Sequence, residues 1–157
     1  IIINNLNMED SSIEKTQVKE IYEQIAEHFD NTRLYKWTWV NEFLNKLRKD
    51  AVVYDIGCGN GRNMENNNTK NLNFIGIDNC VNFVKICKSK NLNVLLGNMT
   101  AIPLPSSSAD ALICIAVFHH LENKENRIKA LLEMIEGVEV MSGVRLPLVS
   151  ATESLQL

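Results

Sequence analysis

One segment constrains this chain more than any other: Asp55-Ile56-Gly57-Cys58-Gly59-Asn60-Gly61, which ends the apolar run Ala51 to Ile56. Glycines at alternate positions let a strand turn sharply and leave bare backbone that a ligand can approach. Such a turn belongs between a strand and a helix of an open α/β sheet. Three further runs fit that sheet: Asn73 to Ile77, closed by Asp78, then Leu92 to Leu96, then Ala111 to Phe118. Near-continuous apolar strands separated by helices describe a parallel sheet covered on both faces.

The helices announce themselves by period. Val18, Ile21, Tyr22, Ile25 and Phe29 predict a helix over 12–29, opened by a capping box of Ser11 and Glu14. Trp37, Val40, Phe43, Leu44 and Leu47 predict a second over 37–48. Val81, Val84 and Cys87 share one face of a third, which Asn79 is placed to cap. A last helix spans 122–135 with Ile128, Leu131, Leu132 and Ile135 inward. Asn66-Asn67-Asn68 favours a turn. The fold class is therefore α/β: a Rossmann-like, doubly wound, mostly parallel sheet.

Composition narrows the classes. The 157 residues, 45% hydrophobic and 22% charged, suit one globular domain. No apolar run reaches the roughly 18 residues of a membrane helix, and no secretory leader is seen, so no membrane is expected and a cytoplasmic site is. Cys58, Cys80, Cys87 and Cys114 lack C-x-x-C spacing, which argues for reduced thiols rather than a zinc ribbon, and no metal is expected. Net charge is −3, but Arg33, Lys36, Lys46, Arg48 and Lys49 form one basic island and Lys85, Lys88 and Lys90 another. Both read as solvated faces first and as phosphate contacts second.

The glycine turn carries the chemistry. Its third glycine comes one position earlier than in dinucleotide loops, and Asp55 stands two residues before the first. A carboxylate there repels a pyrophosphate but suits a cationic amino-acid ligand, which points to S-adenosyl-L-methionine. Asp78, at the end of the second strand, is placed to accept from ribose hydroxyls, with helix capping as its plain alternative. Asn98 and Met99 follow the third strand, where a side-chain amide and a backbone N–H meet an adenine edge; a simple Asn turn is the alternative. His119 and His120 follow the fourth strand at the sheet's carboxyl edge, and His119 is read as lining the pocket. Adjacent histidines with no third ligand do not make a metal site.

The chain resembles the class I S-adenosylmethionine-dependent methyltransferases. Within them it resembles the eukaryotic tRNA wobble-uridine carboxymethyl methyltransferases, some of whose animal members are fused to an AlkB-type dioxygenase. The resemblance lies in Ile21-Tyr22-Glu23-Gln24-Ile25-Ala26-Glu27-His28-Phe29-Asp30-Asn31-Thr32-Arg33, in Trp37, in Asp55 to Gly61, and in Asp110 to His120. It implies S-adenosyl-L-methionine as methyl donor, tRNA as substrate, and a small zinc-binding activator protein as partner. It implies that Asp55, Gly57, Gly59, Gly61 and Asp78 bind the cofactor and that Tyr22 closes over its amino-acid end. Asn98 stands where the family usually has Asp. Esterification of a carboxylate needs no general base, since carboxyl groups are ionised at pH 7. A cation to hold that carboxylate is the expected tool, so Arg33 is the candidate clamp and, with His119, the candidate catalytic pair. A methyltransferase for a small-molecule acid and a non-catalytic module binding cofactor or a partner stand as alternatives.

The expected organisation is a disordered lead over 1–11, a methyltransferase domain over 12–135 and an atypical tail over 136–157. Within the domain, N-terminal helices occupy 12–48 and the cofactor-binding half 51–135. Ile1 precedes the first Met, Met8, so residues 1–7 read as upstream sequence or the chain as a fragment. A proline in the tail, Pro147, makes it a poor central strand. Three more strands and a helix need roughly 40 residues. The expectation is a fold truncated after the fourth strand and its helix, with strand 111–118 left at an unguarded sheet edge.

Overall fold

The computed structural model describes residues 2–3, 20–26, 28, 37–65, 70–121 and 123–138. Residues 20–26 and 28 are helical. The named elements are β1 (Ile2–Ile3), α1 (Thr38–Asn45), β2 (Val52–Ile56), β3 (Asn73–Asp78), α2 (Val81–Ser89), β4 (Val94–Leu96), β5 (Ala111–Cys114), a 3-10 turn (Phe118–His120) and α3 (Lys124–Gly137). The five strands form one sheet in the order β1-β5-β2-β3-β4, and every pairing is parallel.

Register follows burial. Val53 pairs with Phe74 and Ala111, and Tyr54 with Ile75 and Leu112. Along β2 the side chains alternate between two buried clusters. Val53 joins Val40, Leu44, Phe74, Val84, Cys87 and Ile113 beneath α1 and α2. Tyr54 and Ile56 join Leu112, Phe118, Ala130 and Met134 beneath α3. A sheet clothed on both sides cannot show polar alternation, which is why its strands read as continuous apolar runs. At the opposite end from the glycine turn, the Arg48 guanidinium reaches Asp110 at 2.8 Å, and Asp110 also accepts from the Val52 N–H at 2.7 Å.

Several expectations change. The lead read as disordered contributes β1, whose Ile2 and Ile3 pair with Ile113 and Cys114, so the β5 edge read as unguarded is covered there. The strand expected to run to Phe118 stops at Cys114. Ala116 then turns left-handed at φ 55, a conformation costing an alanine about 1–2 kcal/mol. On α3 the inward stripe is Ala130, Met134 and Gly137, while Ile128, Leu132 and Ile135 are exposed. The period was legible but not the phase: small residues let the helix lie close on the sheet, and the larger aliphatics turn outward. The same holds in the first helix, where Ala26 is buried and Ile21 and Ile25 are exposed. In α2, Phe83 replaces Val81 in the buried set. The Ser11–Glu14 capping box, Phe29, Asn66 to Asn68, and the tail from 139 onward lie outside the described residues, as does Arg33.

Candidate functional site

The site is built at the carboxyl ends of β2, β3 and β5, where open parallel sheets receive ligands. Gly57, Gly59 and Gly61 all have positive φ, at 70°, 54° and 77°. A side chain is excluded at two of them. A Cβ on Gly57 would lie 2.5 Å from both Val117 methyls, and one on Gly61 would lie 2.4 Å from Leu92 Cδ1. The turn is pinned from several sides. The Gly57 and Cys58 N–H groups donate to the Ile77 carbonyl, and the Cys87 thiol donates to the Gly59 carbonyl at 3.2 Å. Lys90 donates to the Asn60 carbonyl and pairs with Glu65.

Two carboxylates flank this turn. Asp55 is 1% exposed, and its Oδ2 has no hydrogen-bond partner. Burial pushes its carboxyl up to about 7, further raised by the charge of Asp78, while the Asn63 hydrogen bond and the Arg62 charge pull the other way. An unpartnered buried carboxylate oxygen is costly. Beside a turn of bare backbone, its natural complement is a cationic ligand group. Asp78 is also buried. Its Oδ2 accepts from the Gly59 N–H at 2.8 Å and its Oδ1 from the Cys80 N–H at 2.9 Å. Desolvation raises its pKa against those two bonds. A carboxylate has about four acceptor positions, so both oxygens retain capacity for hydroxyl donors. Ribose binding and local capping, set out above as alternatives, are compatible.

The remaining predicted residues divide. Tyr22 is brought across from the first helix: its hydroxyl lies 3.0 Å from His120 Nε2, and its ring sits edge-on to His120 and 6.0 Å from Phe83. The His119 and His120 rings lie tilted against each other at 50°, with centroids 4.1 Å apart. Burial lowers the pKa of both, that of His120 to about 4, so both rings are neutral at pH 7. His119 Nδ1 is buried with no partner, as Asp55 Oδ2 is. Asn98 is exposed, and its Oδ1 accepts from the Thr100 N–H and hydroxyl at 3.0 Å, a local turn. Met99 packs half-buried against the α3-side core. Among the described residues, no three His, Cys, Asp or Glu side chains are grouped to hold a metal. No helix there is long and apolar enough to cross a membrane.

Sequence reading assigned no role to Glu23 or Asn63, and it placed His120 at the sheet's carboxyl edge without its Tyr22 partner. Asn63 acts on nearby Asp55, whereas Glu23 acts on groups 58 residues away. The sequence carried no signal for Glu23, because Asn79 stood where a cap was expected; in the structure α2 starts behind Cys80, a poor capping residue, and its first N–H groups take acceptors from another segment. Asn79, the expected cap, is not the N-cap.

Comparison with known proteins gives this geometry a context. A family model described as "Methyltransferase domain" matches residues 54–137. The chain is 40% identical over 127 residues to a tRNA (carboxymethyluridine(34)-5-O)-methyltransferase ALKBH8 of Macaca fascicularis, covering 81% of this chain and 19% of that protein. It is 38% identical over 122 residues to the tRNA (carboxymethyluridine(34)-5-O)-methyltransferase of Schizosaccharomyces pombe, covering 78% and 52%. The chain thus spans about half or less of these relatives' length. A chain from the complex between the Haloferax volcanii Trm112 methyltransferase activator and a methyltransferase superposes with a TM-score of 0.60 at 15% identity, covering 85% of this chain and 57% of that one.

Proposed function

Because the chain belongs to the methyltransferase-domain family, we propose that it carries the S-adenosyl-L-methionine site of a tRNA methyltransferase that esterifies the carboxymethyl group of a wobble uridine. The observation carrying this reading is the unpartnered, buried Asp55 Oδ2 beside a glycine turn that Asp78 ties down. When bound, S-adenosyl-L-methionine supplies an electrophilic methyl group on a sulfonium. Asp55 and the backbone of Gly57, Gly59 and Gly61 hold its amino-acid end, and Asp78 holds the ribose. Tyr22 covers the amino-acid end, and the Asn98–Met99 turn borders the adenine.

The substrate carboxylate is ionised at neutral pH, so the protein needs no base and contributes position and electrostatics. Arg33 is the proposed carboxylate clamp. His119, neutral and with a free Nδ1, serves as a hydrogen-bonding wall rather than a charge. The neighbour solved with an activator supports a small activator partner for this chain also; that this partner binds zinc rests on the family resemblance. Four free, buried cysteines fit a reducing, cytoplasmic setting.

The test is methyl transfer from S-adenosyl-L-methionine to tRNA bearing carboxymethyluridine, with and without activator. Ester formation that Arg33→Ala abolishes supports the reading. No transfer in either condition, with cofactor demonstrably bound, sinks it.

A further inference from the structure

Glu23 occupies an unusual position. From the first helix, its carboxylate accepts from two N–H groups that open α2: Val81 N–H to Oε1 at 2.6 Å and Asn82 N–H to Oε2 at 3.0 Å. The Asn82 amide returns a hydrogen bond to the Glu23 carbonyl at 2.9 Å. These three bonds join segments 58 and 59 residues apart. They replace the cap that α2 lacks from its own N-cap residue, Cys80. A negative charge at a helix N-terminus is further favoured by the aligned peptide dipoles.

The consequence lies one residue away. Tyr22 reaches His120, which follows β5, while Glu23 is fastened to α2, which follows β3. The sheet order puts β2, with Asp55 and the glycine turn, between β5 and β3. The 20–26 helix is thus tied to the elements that follow β3 and β5, on either side of β2: Glu23 bonds α2, and Tyr22 reaches His120 while its ring also lies against Phe83 of α2. We propose that Glu23 is a positioning residue for cofactor capture: by capping α2 it fixes the first helix so that Tyr22 spans the Asp55–Asp78 site. This rests on the S-adenosyl-L-methionine reading of that site. Among the described residues of this helix, Ala26 is fully buried and packs with Cys80 and Phe83, Tyr22 lies part-buried against them, and Ile21 and Ile25 are exposed.

The test uses the full chain and the variants Glu23→Ala and Glu23→Gln. Calorimetry reads the S-adenosyl-L-methionine dissociation constant, and hydrogen exchange on the ligand-free protein reads protection at 20–26 and at Val81–Asn82. Glu23→Ala is expected to weaken binding about fivefold, the equivalent of one lost cap. Glu23→Gln keeps one acceptor and sets an amide against the second N–H, so two- to threefold is expected from a variant that folds. Both variants should lose protection in the two segments together. Affinity unchanged within experimental error in Glu23→Gln, and in Glu23→Ala where it folds, overturns the proposal even if melting temperatures fall. If the wild-type protein binds no cofactor, the cofactor reading fails by itself. Exchange then decides whether Glu23 fixes the helix: protection unchanged in the variants overturns that too.

Discussion

Replacing Asp55 by Asn is expected to stabilise the ligand-free protein at neutral and alkaline pH while destroying cofactor binding. The carboxyl rises from its ordinary 3.8 to about 7 because burial penalises its charged form. Between those values the folded protein keeps a proton that the unfolded chain gives up, so stability falls as pH rises through that window. At 1.36 kcal/mol per pH unit, the loss approaches roughly 4 kcal/mol above pH 7 and vanishes below about pH 4. No discount for solvent screening applies, since the residue is 1% exposed. Asn carries no such dependence. The stability difference between variant and wild type should therefore grow by several kcal/mol from pH 4.5 to pH 8, on top of a constant offset for the buried amide. Urea unfolding at four pH values measures it. His119 and His120, held neutral by burial, oppose folding as pH falls below about 6.5, but that contribution is common to both proteins and cancels in the difference. A difference that does not vary with pH would refute the reasoning, because Asp55 would then titrate normally. The same carboxyl predicts that S-adenosyl-L-methionine binds roughly eightfold more weakly at pH 6 than at pH 7.5, from the ionised fraction of a group titrating near 7.

Other outcomes follow from the same geometry. Gly57→Ala places a methyl 2.5 Å from Val117 at a positive φ and should cost about 2–3 kcal/mol by denaturant melting, with cofactor affinity falling too. Arg48→Ala breaks a largely exposed ion pair with Asp110 and should cost under about 1 kcal/mol, less at high salt. Burial raises the thiol pKa values of Cys80, to about 11, and of Cys114, while a hydrogen bond with Cys87, and then burial, raises that of Cys58. Native protein at pH 8 should therefore label at these cysteines far more slowly than unfolded protein, as read by mass spectrometry. Tyr22→Phe should weaken cofactor binding by a factor that stays constant from pH 5.5 to 8, because His120, titrating near 4, stays neutral throughout and its hydrogen bond with the Tyr22 hydroxyl does not change.

The sheet and its ligand turn were legible because their signals are local. Alternate glycines demand positive φ, and buried parallel strands demand unbroken apolar runs. The 3.6-residue period located α3 but not its inward face, because Ala130 and Gly137 outcompeted larger neighbours for the space above Tyr54 and Leu112. Pairings such as Glu23 with Val81 or Tyr22 with His120 join residues that only the fold brings together. The sequence masked the first of them, since Asn79 stood in the place of a cap that the folded chain takes from Glu23 instead. The burial that leaves Asp55 Oδ2 unpartnered is likewise a property of three strands at once.

Titration calorimetry of the full chain with S-adenosyl-L-methionine at pH 7.5 tests the central claim most directly. The account predicts one saturable site that Asp55→Asn abolishes in a protein that stays folded. A folded wild-type protein giving no binding heat and no ligand-induced rise in melting temperature would contradict it.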